Sequence, residues 1–401
     1  MLLFLCDIKI DAQTTRNRKE LAPTPPMGYM TWNFYADKIT EADVKAIADA
    51  MVANNLLDAG FNYIFIDDGW QGGRDSRNNI IPDPVKFPSG MKALADYVHN
   101  KGLKLGIYSD AAPLTCAGYT ASLYFEEQDA KTFAAWGIDY LKYDYCNAPP
   151  DVETAKKRYT KIAEALSNSG RNIMLGICEW GGRQPWLWGT SVGGSLWRIS
   201  GDIRDKWSSA NDALDVPKGG VGIIDALNVN AELGKYAGNG GWNDPDMLIA
   251  GLYGRKGPSG DLGGIGCSDI EYQSQMSLWC LLSAPLMISC DITNMNTATK
   301  KILTNKNIIA IDQDELGQQA TRKINDNNWQ IFLKPLSNNE WAIGILNTDE
   351  KARKFEIDLA QLGLKGKFAT RNLWTNEIKK KQAKIACSVA AHETVVLRLN
   401  Q

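Results

Sequence analysis

Short, continuous apolar runs alternate with stretches of helical periodicity through most of the chain. In the first helical stretch Thr40 is a capping residue, and apolar side chains recur on one helix face at Val44, Ile47, Ala48 and Met51. Eight run-then-helix units follow one another between residues 27 and 291. Their apolar runs fall at 27–33, 61–66, 103–108, 141–144, 173–178, 196–199, 241–247 and 285–289.

The continuity of these runs indicates the kind of sheet they form. Strands that are apolar on both faces are typical of a parallel sheet covered by helices. Eight units match the (β/α)8 TIM barrel, and we predict this fold for residues 21–312. An open, doubly wound sheet is the alternative, but no glycine-rich phosphate loop follows any of the runs.

The pattern changes near Ile311 to short strand-like segments separated by polar turns. Segments 329–333, 341–346, 355–359, 369–374 and 394–399 have the spacing of an antiparallel β-sandwich. We therefore predict a C-terminal antiparallel β-sandwich domain at residues 313–401. It carries no convergent acids, so we assign it a structural role.

Composition and charge exclude several classes of function. The net charge of −2 gives no reason to expect nucleic acid or an anionic membrane as a partner. The two histidines, His99 and His392, are too few for a histidine-rich metal site, and the eight cysteines form no CxxC pair. We therefore expect no metal and no cofactor, and chemistry based on carboxylates.

The first twenty residues form an expected leader. An apolar stretch, 2–6, is followed by polar residues, as at the end of a secretory signal peptide with cleavage near Ala12 or Gln13. A basic first segment is missing, and Asp7, Lys9 and Asp11 interrupt the pattern. We expect a secreted or periplasmic protein with an incomplete export signal, and no stretch is long enough to span a membrane.

Carboxylates lie at or just past the ends of the predicted strands. In a closed barrel those ends converge on one mouth, and a polar cluster there is costly as core filler. It suits a site that binds many hydroxyl groups, because carboxylates accept hydrogen bonds from them. The strand-end acids are Asp67, Asp68, Asp110, Asp144, Glu179, Asp202, Asp244, Asp246 and Asp291.

Two of these acids have basic neighbours that suit catalysis. Lys142 and Asp144 are two residues apart on a strand and should face one cavity, where the lysine favours the ionised carboxylate. Glycosidic hydrolysis needs a second carboxyl group in a different protonation state. Asp202, with Arg198 four residues before it, is the best partner, although any two strand-end acids compete for these roles.

Eight motifs, in order, cover much of residues 23–316 and resemble the α-galactosidases of glycoside hydrolase family 27. Together they are highly specific, although most would be weak alone. They are PPMG at 25–28, DDGW at 67–70, FPSG at 87–90, LKLGIYSD at 103–110, KYD at 142–144, CEWG at 178–181, WRISGD at 197–202 and WNDPDM at 242–247.

The resemblance implies a retaining exo-glycosidase that releases terminal α-linked D-galactose from oligosaccharides or glycoconjugates. Asp144 matches the nucleophile that forms a covalent glycosyl-enzyme, and Asp202 matches the acid and base. The resemblance also implies a disulfide between Cys116 and Cys146 beside the nucleophile. The implied substrate-binding residues are Tyr29, Asp67, Asp68, Cys116, Lys142, Cys178, Trp180, Arg198 and Met247.

Two of these positions affect the expected specificity. Trp180 leaves little room for an N-acetyl group at the sugar's 2-position, which favours galactose as the glycone. Tyr29 stands where we expect the family's sugar-contacting Trp, so the pocket floor is expected to differ. The family's second disulfide lacks both partners, since Gly69 replaces one cysteine and none occurs between Cys6 and Cys116.

Four alternatives remain at this stage. Within the family, the chain would be an α-N-acetylgalactosaminidase or a β-L-arabinopyranosidase. In a different enzyme class, Lys142 would form a Schiff base in a barrel aldolase, although Asp144 beside it opposes the low pKa that such a lysine needs. As a non-enzyme, the chain would be a sugar-binding protein with an inactive site. The natural aglycone and the oligomeric state do not follow from the sequence.

Overall fold

A computed structural model of the chain describes residues 19–209, 220–255, 257–260, 264–326 and 328–401. Residues 1–18 of the predicted leader lie outside the described residues. Within the described part of the chain, no helix combines the length and the apolar character needed to cross a membrane.

Eight parallel strands form the first domain, which confirms the predicted barrel. Neighbouring strands pair in parallel in the order β8-β1-β2-β3-β4-β5-β6-β7. A parallel bridge from Leu248, just past β7, to Ile288 of β8 closes the ring. The strands are β1 Met27–Met30, β2 Tyr63–Ile66, β3 Lys104–Asp110, β4 Tyr140–Asp144, β5 Met174–Ile177, β6 Leu196–Arg198, β7 Trp242–Asp244 and β8 Leu286–Ile288.

Helices cover the outside of the barrel, and some of them begin at polar caps. Thr40 and Asp43 form a reciprocal capping box, as do Ser268 and Glu271, so that both helix starts satisfy free main-chain donors. The α-helices are Trp32–Tyr35, Glu41–Ala53, Leu56–Ala59, Gly90–Asn100, Glu126–Trp136, Val152–Ser167, Ile223–Asn230, Asp269–Leu281, Thr297–Leu303 and Lys306–Asp312. A short hairpin, Gln71–Arg74 with Ile80–Pro82, extends the loop after β2.

The C-terminal domain is an antiparallel sandwich, as predicted. Its larger sheet has the order β9-β10-β11-β16-β13-β14, and β12 pairs with β15 in the smaller one. The strands are β9 Thr321–Asn325, β10 Trp329–Pro335, β11 Trp341–Asn347, β12 Arg353–Asp358, β13 Phe368–Asn372, β14 Ile378–Gln382, β15 Lys384–Val389 and β16 Thr394–Asn400.

The larger sheet of the sandwich packs against both domains, because its side chains alternate between its two faces. Ile331 and Ile343 face the smaller sheet and pack with Phe355, which forms the core of the sandwich. Phe332 and Val396 point the other way and belong to the core of the barrel. One sheet therefore contributes side chains to both hydrophobic cores, and apolar packing attaches the sandwich to the barrel.

Several predicted segments differ from the observed ones. The first strand ends at Met30, and Trp32–Tyr35 forms a helical turn where the sequence pattern predicted continued strand. The helix predicted from 40 to 57 is divided, because Asn55 adopts a left-handed conformation with φ of 60°. The edge strand Ile378–Gln382 was not predicted, since its exposed, lysine-rich sequence has no alternation.

Candidate active site

A single pocket opens where several barrel strands end, and most of the predicted site residues line it. Its volume is about 180 Å³. Acids, cations and aromatic rings share the wall, which is the composition of a site for a small polyhydroxylated ligand. The lining residues are Trp32, Asp67, Asp68, Tyr108, Cys116, Lys142, Asp144, Cys146, Trp180, Arg198, Asp202 and Met247.

Asp144 is the last residue of β4, and hydrogen bonds orient both of its carboxylate oxygens. The hydroxyl of Tyr108 donates to Oδ2 at 2.9 Å, and the main-chain N–H of Tyr145 donates to Oδ1 at 2.9 Å. Burial raises the pKa of Asp144 to about 6, although the Lys142 ammonium and these two donors favour the anion. The group is therefore ionised at neutral pH and oriented as a nucleophile must be.

Lys142 faces the pocket, as predicted, but its direct partner is Asp67, the residue that follows β2. The Lys142 Nζ lies 3.0 Å from Asp67 Oδ2, and both side chains are buried. The main-chain N–H of Asp68 donates to Asp67 Oδ1 at 2.8 Å, and Asp68 Oδ2 accepts from Ala117 N–H at 2.8 Å. Burial raises the pKa of Asp68 to about 6.

Asp202 lines the same pocket in a different electrostatic setting. Its Oδ1 accepts from the indole N–H of Trp180 at 3.1 Å and from the guanidinium of Arg198 at 3.1 Å. Arg198 also pairs with Asp246 at 3.0 Å. Burial favours neutral Asp202, but the charges of Arg198 and Arg204 outweigh it and lower the pKa. The carboxyl keeps 37 % of its side-chain surface exposed to the pocket opening.

A disulfide joins the loops after β3 and β4, with Cys116 bonded to Cys146 across 30 residues. Both cysteines line the pocket. Their sulfur atoms and one oxygen each of Asp110 and Asp144 lie within 4.8 Å of one another. Asp and Cys are both common metal ligands, but sulfur atoms in a disulfide cannot act as thiolate ligands. The group therefore does not fit a metal centre in this oxidised form.

With this geometry described, the chain can be compared with known proteins. The family described as alpha galactosidase A matches residues 24–314, and the alpha galactosidase C-terminal beta sandwich domain matches residues 326–399. The chain belongs to the α-galactosidase family, glycoside hydrolase family 27.

The matches to individual α-galactosidases extend over nearly the whole chain. An α-galactosidase of Oryza sativa is 42% identical over 93% of this chain and 84% of its own length. α-Galactosidase A of Cellvibrio japonicus is 40% identical over 95% of this chain and 93% of its own length. The crystal structure of α-galactosidase I from Mortierella vinacea superimposes with a TM-score of 0.86 at 34% identity, covering 95% and 98% of the two chains.

Two predicted sugar contacts lie outside the pocket of this family member. Tyr29 is fully buried, and its hydroxyl donates to the Cys290 carbonyl at 2.9 Å. The aromatic residue that does reach the pocket is Trp32, three positions later, because the chain turns into a helix after β1. Cys178 is 1 % exposed and lies behind the wall, with its sulfur 3.9 Å from an Arg198 nitrogen.

Sequence reasoning missed Trp32 and Tyr108, and it gave Cys146 only a role in the disulfide. Trp32 stands in the motif GYMTWN at 28–33, so its position in that motif was the available signal. Tyr108 lies two residues before Asp110 on β3 and directly opposite Lys142 in the β3–β4 ladder. That register brings its hydroxyl to Asp144, and no spacing rule for acids selects a tyrosine.

Other strand-end acids serve the structure around the pocket. Glu179 accepts from the main chain and the guanidinium of Arg183, and Asp291 caps the 3₁₀ turn Ile292–Asn294. Asp244 accepts from the main-chain N–H of Asp246 at 2.8 Å. These three acids follow strands, as predicted, but they do not line the pocket.

Proposed function

We propose that the protein is an exo-acting, retaining α-galactosidase that works through a covalent glycosyl-enzyme. The observation that carries this proposal is that Asp144 and Asp202 line one small pocket together with Asp67, Asp68 and Lys142. A pocket of about 180 Å³ suits one terminal sugar, as an exo enzyme requires.

In the first step, Asp144 attacks the anomeric carbon while the bond to the leaving oxygen breaks. A carboxylate oxygen forms the new C–O bond, and Asp202 transfers its proton to the leaving oxygen. In the second step, Asp202 accepts a proton from water, whose oxygen displaces Asp144 from the sugar. Two displacements at one carbon return the original configuration, so the product is the α-anomer.

The surroundings of the two carboxyls give the proposed nucleophile, and not the proposed acid, the higher pKa of the pair. Burial raises the pKa of Asp144 to about 6, whereas Arg198 and Arg204 lower that of Asp202. Each carboxyl senses the charge of the other, so the pair titrates as a unit. Two described donors to Asp202, the Trp180 indole and the Arg198 guanidinium, both use Oδ1. The proposal requires Asp202 to carry the proton once the sugar covers the site.

The other residues that line the pocket determine the proposed glycone specificity. The proposed sugar ligands include two carboxylates, Asp67 and Asp68, and the ammonium group of Lys142. The carboxylates accept hydrogen bonds from sugar hydroxyls, and the ammonium group donates to them. Trp180 occupies the wall beside Asp202, where a bulky substituent on the sugar would need space. This favours α-galactosides over α-N-acetylgalactosaminides, and we propose the same preference over β-L-arabinopyranosides.

The test compares para-nitrophenyl α-galactoside, α-N-acetylgalactosaminide and β-L-arabinopyranoside with the purified protein, and follows the released sugar by proton NMR. We expect preference for α-galactoside, with α-galactose as the first product and the β-anomer appearing later by mutarotation. β-Galactose as the first product would contradict retention. Preference for either other glycoside would contradict the glycone assignment. In Asp144→Asn, hydrolysis should fall by at least about a thousandfold while galactose binding measured by calorimetry persists.

We also propose that the protein is exported from the cytoplasm. The Cys116–Cys146 disulfide supports this, because such bonds persist mainly in oxidising compartments. Fractionation of the cells that produce it, followed by mass spectrometry of the alkylated protein, tests the proposal. We expect the protein outside the cytoplasm with two cysteines protected from alkylation. A cytoplasmic protein with all its thiols reduced would refute it.

A further inference from the structure

Asp110 is a buried acid beside the reaction centre that the proposed mechanism does not use. It ends β3 and is fully buried, directly opposite Asp144 in the β3–β4 ladder. One of its oxygens lies within 4.8 Å of an Asp144 oxygen. Acids this close disfavour each other's ionisation, so a second buried acid here requires a reason.

Asp110 contacts the main chain that follows the nucleophile. Asp110 Oδ2 accepts from the main-chain N–H of Cys146 at 3.0 Å. The next residue, Ala111, donates its main-chain N–H to the carbonyl of Asp144 at 2.9 Å. Asp110, the last residue of β3, and Ala111, which follows it, therefore fix the turn 144–146 at its last N–H and at its first carbonyl.

The turn 144–146 also orients the nucleophile, Asp144. Inside it, the main-chain N–H of Tyr145 donates to Asp144 Oδ1 at 2.9 Å. The direction of that N–H depends on the conformation of the peptide between the two clamped ends. A carboxylate rotated away from its attack direction loses rate steeply, because small misplacements at a reaction centre cost orders of magnitude.

We propose that Asp110 is a positioning residue for the nucleophile, holding the turn 144–146 through the Cys146 N–H so that Tyr145 presents its own N–H to Asp144. The inference rests on the proposed function, in which Asp144 attacks the sugar. It adds a residue that touches no substrate and acts through the main chain.

The proposed role needs a hydrogen-bond acceptor and is best served without a charge. The titratable groups around Asp110 are Asp144 and Tyr143 on β4, Asp68 after β2, Tyr108 on its own strand and Tyr159 in the helix Val152–Ser167. No described Lys or Arg forms an ion pair with it. Burial and the charge of Asp144 raise the pKa of Asp110 to about 9. Its Oδ1 has no hydrogen-bond partner among the described residues, which also favours the neutral acid.

The isosteric and the truncated variants separate this role from simple packing. Asp110→Asn keeps an oxygen acceptor for the Cys146 N–H and adds no charge. Asp110→Ala removes the acceptor. We expect kcat of Asp110→Asn to stay within about threefold of wild type, and kcat of Asp110→Ala to fall by at least about tenfold with KM changed little. The acid limb of the kcat/KM profile should coincide in wild type and Asp110→Asn.

Hydrogen exchange followed by mass spectrometry supplies a readout that needs no turnover. Peptides covering 145–147 should exchange faster in Asp110→Ala than in wild type, and Asp110→Asn should restore protection. Exchange unchanged in Asp110→Ala, or kcat reduced as strongly in Asp110→Asn as in Asp110→Ala, would overturn the proposal. If Asp110→Ala does not fold, a loss above tenfold in Asp110→Asn overturns it alone. An inactive wild-type protein would refute the proposed function, while the exchange comparison would still test the clamp.

Discussion

Lys142 Nζ lies 3.0 Å from Asp67 Oδ2, so the strand that carries the nucleophile is tied to the carboxylate that follows β2. The ion pair is almost inaccessible to water, with 10% and 4% of the two side-chain surfaces exposed. Both groups also line the pocket. Their attraction therefore fixes two proposed sugar ligands relative to each other before any substrate arrives.

The first prediction concerns this pair. Lys142→Met keeps the length of the side chain but leaves Asp67 buried without its cation. We expect kcat/KM for an α-galactoside to fall by at least about a hundredfold, and the protein to lose about 3 kcal/mol of unfolding free energy. Steady-state kinetics and urea denaturation measure both effects. A variant with wild-type kcat/KM would show that the pair does not bind or orient the substrate.

The second prediction concerns the pH dependence of the reaction. Asp144 must be ionised to attack, and its pKa is raised to about 6 by burial. Activity should therefore be lost as the pH falls through this value, with kcat/KM decreasing about tenfold per unit below it. A pH–rate profile of the wild-type protein tests this. A profile that stays flat to about pH 4.5 would contradict it, because an ordinary carboxylate titrates there.

The third prediction concerns stability. Burial raises the pKa of Asp68, Asp144 and Asp244 to about 6, of Glu179 to about 7 and of Asp110 to about 9. Each is neutral in the folded state over a range where the unfolded chain is ionised. The folded protein then binds more protons, so its stability falls as the pH rises from about 5 to about 9.

Thermal unfolding across this range measures the effect. We expect a midpoint that decreases steadily towards alkaline pH, and a shallower decrease in Asp110→Asn above about pH 6, where that group contributes most. A midpoint that increases over the same range would contradict the prediction. The acids whose pKa is lowered, such as Asp37 and Glu41, are ionised in both states here and do not affect the slope.

The barrel and the convergence of its acids were predictable because strand ends in a closed parallel barrel meet at one mouth. The direction in which each side chain points beyond the end of its strand was not predictable. Trp180 has a φ of 55°, a left-handed conformation that is unusual for a bulky residue. This local conformation accompanies an indole that points to Asp202 while neighbouring Glu179 turns to Arg183. Periodicity carries no information about such a reversal.

The same limit explains Tyr29 and Trp32. Both are aromatic and near the end of β1, and the resemblance to the family placed Tyr29 in the pocket, at the position of the expected sugar-contacting Trp. The chain instead leaves the strand after Met30 and begins a helical turn, so Trp32 reaches the pocket and Tyr29 stays in the core. The sandwich strand Ile378–Gln382 was missed for a different reason. At an exposed sheet edge, lysines protect against pairing with other chains and remove the alternation that would identify it.

A buried ion pair outside the pocket gives the fourth prediction. Arg74, at the end of the hairpin after β2, makes two hydrogen bonds of 2.7 Å to Asp129 in the helix Glu126–Trp136. Its guanidinium also lies 4.0 Å from the Phe125 ring centre and donates to the Ala121 carbonyl at 2.8 Å. Asp129 is fully buried. The pair therefore joins the loops after β2 and β3, which carry Asp68 and Cys116.

Arg74→Met leaves the Asp129 carboxylate buried without its cation, and we expect a loss of about 3–5 kcal/mol in unfolding free energy by urea denaturation. Lys92→Met is the matched control, because Lys92 and Asp96 form an exposed pair with 59% and 54% of their side chains accessible. That control should cost less than about 1 kcal/mol. Replacing both partners, as Arg74→Met with Asp129→Leu, should recover part of the loss, since no charge then remains buried. Equal losses in Arg74→Met and Lys92→Met would show that the loops are held by their packing and not by this ion pair.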